Sequence, residues 1–143
     1  MYCDEELGRY IDLIENSLLD DLDVAVDYLP NHSNYFYYEE GIIEIGNLQP
    51  LVIQLYSLLH EAGHAYLVGT DYFIKRKEGL KRYRKSYKVA VVREEIMAWD
   101  KGAEIAARLS IPLDYKLWNK QRNDSLFNYI VWASDPHNYK PRK

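Results

Sequence analysis

Apolar residues recur every three or four positions in three stretches of the chain. In residues 4–19, Leu7, Tyr10, Ile11, Ile14 and Leu18 fall on one face of a helix. The acidic residues of its first turn suit the positive end of the helix dipole. In residues 50–68, Leu51, Leu55, Leu58, Ala62 and Ala65 make one apolar stripe, and Pro50 suits the start of a helix. Residues 89–109 carry the third helical pattern, which Ser110-Ile111-Pro112 ends. Between the first two helices the pattern changes. Residues 23–29, 34–38 and 42–46 are rich in Val, Ile, Tyr and Phe and read as strands, with Glu39-Glu40-Gly41 as the tight connection between the second and third. Residues 71–88 read as a basic surface helix, one or two helices follow to about Trp132, and residues 134–143 read as a flexible tail. These elements predict a single α+β domain over residues 1–143, with a small three-stranded, largely antiparallel sheet packed on helices.

Composition agrees with one core. A chain of 143 residues with 48% hydrophobic and 14% aromatic residues can bury a core, which argues against disorder, but it is too short for two. No apolar run is long enough to span a membrane, and the acidic N-terminus MYCDEELGRY does not resemble a secretory signal. The single cysteine, Cys3, cannot form an internal disulfide. The expectation is a cytoplasmic protein with no membrane partner.

Charge is divided unevenly along the chain. Residues 1–64 carry 13 Asp and Glu against one Arg, and residues 65–143 carry 17 Lys and Arg against 9 Asp and Glu. The basic segment 75–88 includes Tyr83 and Tyr87, and cations interleaved with stacking rings are what a nucleic-acid contact needs. The plainer reading is a solvated face that balances the acidic half of the chain, and it is the one favoured, because a charge run alone is weak evidence.

The chemistry is concentrated at His60-Glu61-Ala62-Gly63-His64, an HExxH. Residues four apart on a helix lie one above the other, about 5–6 Å between Cβ atoms. Two imidazoles so placed can converge on one Zn2+ at about 2.0–2.1 Å each. Glu61, rotated by one residue step, can reach a zinc-bound water and take its proton as the water attacks a peptide carbonyl. Gly63 permits close approach of a neighbouring element. A catalytic zinc usually has three protein ligands and one open position. Position 70 is Thr, not His, so the three-histidine metzincin pattern is excluded.

The third ligand is sought in Arg93-Glu94-Glu95-Ile96-Met97-Ala98-Trp99-Asp100. Glu95 shares a helical face with Ala98, Trp99, Gly102, Ala106 and Leu109, an apolar face whose small residues let two helices meet closely. Glu94 shares a more amphipathic face with Lys101 and Ile105. Glu95 is therefore the expected ligand and Glu94 a supporting carboxylate or a surface ion-pair partner. Asp71 ranks behind both, because it would need a sharp return of the chain after His64.

HEAGH followed by Glu95-Ile96-Met97-Ala98 resembles the gluzincins, and most closely the minimal soluble gluzincins, over roughly residues 50–69 and 91–106. The resemblance implies a zinc-dependent peptidase in which His60, His64 and Glu95 bind the metal between the active-site helix and the glutamate helix. It makes Glu61 the base and a peptide or protein the substrate. It also implies that an edge strand within residues 34–46 holds that substrate by strand addition. One departure stands out: many gluzincins have an acidic residue four after the ligand Glu, and here that position is Trp99. The partner that orients a ligand histidine is thus unassigned, as is the group that stabilises the oxyanion. The alternative is a non-catalytic or latent zinc-binding regulatory protein of the same fold. Glu61 argues against it, because a structural zinc site does not need that carboxylate.

Overall fold

The computed structural model describes residues 1–74 and 85–135. Residues 136–143 of the expected tail and most of the basic segment, including Tyr83, lie outside them, and Ser134, placed in the tail, is the last residue of a helix. The chain forms α1 (Asp4–Leu22), β1 (Ala25–Leu29), β2 (Tyr35–Tyr37), β3 (Ile42–Gly46), α2 (Leu51–Leu67), α3 (Lys85–Arg108) and α4 (Tyr115–Ser134). This is the expected α+β class, with a three-stranded sheet packed on helices. Five of the elements, α1, β1, β2, β3 and α2, match the predicted ranges to within three residues at each end, and α3 starts four residues earlier than expected.

Helix α1 buries the predicted stripe of Leu7, Tyr10, Ile11, Ile14 and Leu18. Asp23 ends it in the left-handed conformation, φ 54°. That turn delivers Val24 to the core and the chain into β1. Strands β2 and β3 form a hairpin closed by Gly41, at φ 66°, whose N–H donates to the Tyr37 carbonyl at 3.0 Å. β3 lies in the middle of the sheet, antiparallel to β2 and parallel to β1. The sheet is therefore mixed, and β2 is an edge strand.

Helix α2 is the centre of the molecule. Leu55, Leu58, Leu59 and Ala62 are fully buried, and the helix packs against α1, β2, β3 and α3. Its most extensive contact is with α3, where two glycines remove the side chains that would hold the helices apart. A Cβ on Gly63 would lie 2.0 Å from the Ala98 carbonyl oxygen, and one on Gly102 would lie 2.8 Å from that of Leu59. Only Gly allows backbones this close. Helix α4, capped by the Asp114 side chain, packs against α3 and buries Trp118, Leu126 and Trp132, and Trp118 also meets the Tyr56 ring of α2 at 5.3 Å. No helix among the described residues is long and apolar enough to cross a membrane.

Candidate metal centre

The close crossing of α2 and α3 brings the HExxH helix face against the glutamate helix. His60, His64 and Glu95 form a cluster that can hold a metal ion. His60 Nε2 lies 3.0 Å from Glu95 Oε1, His64 Nε2 lies 2.9 Å from Glu95 Oε2, and the two Nε2 atoms are 3.2 Å apart. Donors about 2.0–2.1 Å from a tetrahedral ion stand about 3.3 Å from one another, close to the spacing of the two Nε2 atoms and of each from a different Glu95 oxygen. Two imidazole nitrogens and a carboxylate this near one another need a cation or shared protons among them. The donor set suits a borderline divalent ion.

Glu94 faces the same site from outside the triangle. Its Oε2 accepts a hydrogen bond from His64 Nδ1, and its Oε1 accepts the Ile74 N–H at 2.7 Å. In the neutral ring, a proton held on Nδ1 leaves the Nε2 lone pair directed at the cluster, which is how a carboxylate fixes the tautomer of a ligand histidine. The partner that Trp99 could not supply is thus the residue before Glu95. The sequence offered Glu94 for this part but could not decide it, because only the position of Ile74 shows where the carboxylate is held.

Trp99 has a different part. Its ring stacks on that of His60, with centroids 4.3 Å apart and planes 11° from parallel. Trp118 packs edge-on behind it at 4.9 Å. The His60 ring therefore rests on an aromatic wall of α3 and α4. Asp71 is exposed and stands apart from the cluster, and its backbone carbonyl accepts a hydrogen bond from Arg93 at 3.0 Å.

Burial sets the protonation of these groups. It raises the Glu61 carboxyl above its usual range, and His60 and His64 only partly offset this. Burial would pull His64 down, but the Glu95 charge and hydrogen bonds to Glu94 and Glu95 hold it well above the usual imidazole value. For Glu95, burial is outweighed by His64 and His60, and its carboxyl stays well below the usual range. Glu95 is thus held ionised, while Glu61 is readier to carry a proton.

Glu61 opens onto a cavity of about 490 Å³ beside the cluster, walled on one side by Tyr35, Phe36 and Tyr37 of the edge strand β2. The volume is that of a small-ligand cleft. The basic run is not one solvated face in its described part. Lys85 is exposed, but Lys88 is buried, donates to the Asp135 carbonyl at 3.1 Å and lies over the Trp132 ring at 5.7 Å. Lys88 therefore joins α3 to the end of α4. Cys3 is exposed at the start of α1. No family model, curated protein or solved structure matches this chain.

Proposed function

We propose that this chain is a zinc-dependent metallopeptidase of gluzincin type, with His60, His64 and Glu95 as ligands and Glu61 as the base. The observation that carries the reading is the convergence of both Glu95 oxygens on the two Nε2 atoms, with Glu61 beside that triangle on the cavity wall. A zinc ion bound there would act as a Lewis acid, acidifying water and polarising a peptide carbonyl. The chain does the rest. Glu94 keeps the proton of His64 on Nδ1, and Trp99 holds the plane of the His60 ring. The Glu61 carboxylate accepts the proton of the attacking water and passes it to the departing amine nitrogen. Burial raises its carboxyl above the usual range, which makes it a better proton acceptor than a solvated carboxylate. An extended peptide can pair with the open edge of β2, next to the cluster.

Imidazole and carboxylate donors also accept cobalt, manganese or iron. The test is a mixed peptide library incubated with the protein as purified, after chelation, and after reloading with each of these ions. Cleavage that is lost on chelation and restored best by zinc supports the reading. Cleavage that survives exhaustive chelation, or none with any ion, refutes it.

A further inference from the structure

Residues 70–74 leave the end of α2 as an irregular strap beside the metal centre. Phe73 and Ile74 are half-buried and line the same cavity as His64, Glu94 and Glu95. Thr70 shapes the turn, where its hydroxyl accepts the Tyr72 N–H at 3.3 Å and its carbonyl accepts the Phe73 N–H at 3.4 Å. Two consecutive residues of α3 then hold the strap. Arg93 donates to the Asp71 carbonyl at 3.0 Å, and its guanidinium lies 5.3 Å from the centre of the Tyr72 ring. Glu94 accepts the Ile74 N–H at 2.7 Å. The Phe73 ring ties the strap to the sheet, 6.2 Å from the Phe36 ring of β2 and 5.1 Å from the Tyr38 ring just after it.

Glu94 connects this strap to the ligands. Its two oxygens serve two donors, Oε1 the backbone N–H of Ile74 and Oε2 the Nδ1–H of His64. The position of the strap therefore bears on where the carboxylate stands, and the carboxylate bears on how the His64 ring is turned. A carboxamide has only one oxygen, so a glutamine at this position could not accept from both donors.

We propose that Arg93 and Phe73 are positioning residues of the metal centre, acting on His64 through the Ile74 N–H and Glu94. Neither belongs to the ligand triangle. Arg93 and Phe73 fix the strap, the strap fixes Glu94, and Glu94 fixes the ring. Linkage makes the influence reciprocal. An ion on Nε2 fixes the ring, and with it Glu94 and the cavity wall that Phe73 and Ile74 form. The inference rests on the ligand assignment of the metallopeptidase reading and not on peptide cleavage.

The test is zinc affinity, read by chelator competition in Arg93→Ala and Phe73→Ala, each made alone and together with Glu94→Gln. Arg93 is exposed, so its substitution leaves the core untouched. Each single variant should bind zinc about threefold to tenfold more weakly than wild type. In the Glu94→Gln background the same changes should matter by less than about twofold, because the link is already cut. Phe73→Tyr, which keeps the ring, should bind as wild type does. Zinc loading of wild type should slow hydrogen exchange of the Ile74 amide by about tenfold, and this slowing should vanish in Glu94→Gln at saturating zinc. Wild-type affinity in Arg93→Ala and Phe73→Ala, or equal losses with and without Glu94, overturns the inference and leaves the ligand assignment standing. Wild type that binds no zinc overturns both. The expected pattern in a protein that cleaves no peptide keeps the inference and removes the peptidase reading.

Discussion

Gly63 and the Ala98 carbonyl stand so close that a Cβ on Gly63 would come within 2.0 Å of the oxygen. This contact sets the distance between α2 and α3, and so the distance between the two histidines and Glu95. Gly63→Ala must push the helices apart, because the group in the way is backbone and not a flexible side chain. A loss of about 3 kcal/mol, the upper part of the range for overpacking, is expected in urea unfolding, together with loss of bound metal. Wild-type stability with full metal content would show that the helices can separate without opening the site.

Glu94→Gln should weaken metal binding by about 10–100-fold and leave the fold intact, because it removes the charge that fixes the His64 tautomer but not a ligand. Competition with a coloured chelator measures this. Glu95→Ala should cost more, since it deletes an atom of the triangle itself.

Trp99→Ala removes the ring behind His60 and leaves a void against Trp118. A destabilisation of about 3–5 kcal/mol is expected from unfolding curves. Trp99→Phe should retain most of the stability and show whether the stacking also matters for metal affinity.

Asp21 ties α1 to α2 and α3. It accepts hydrogen bonds from Tyr66 at 2.7 Å and Arg108 at 3.3 Å, and these hold its carboxyl below the usual value of 3.8. A carboxyl lowered in the folded chain contributes stability that is present above pH 3.8 and lost as pH falls through the lower folded value. The melting temperature of Asp21→Asn should therefore lie slightly below that of wild type at neutral pH, and the gap should close in acid. The effect is small because the pair is exposed. A gap that widens in acid would contradict the assignment.

Much of the site could be read from the sequence because it is built on helical period. The stripe of α2 places the HExxH, and the small residues Ala98, Gly102 and Ala106 mark the face of α3 that meets it. The parallel pairing of β1 with β3 could not be read, because alternation tells which face of a strand is buried and not which strand lies beside it. The start of α3 at Lys85 was missed for a similar reason. Lys85, Ser86 and Lys88 dilute a pattern in which Tyr87 and Val91, four apart, are the buried pair. Lys88 looked like one more surface charge, and only the packing of α4 shows it buried beneath Trp132.

The most direct test of the central claim is peptide hydrolysis by wild type and Glu61→Gln at matched, measured metal content. One divalent ion per chain in both proteins, with the rate in Glu61→Gln reduced by about 10²–10⁴-fold, is the predicted result. Equal rates in the two proteins, or no ion bound to wild type, would contradict it.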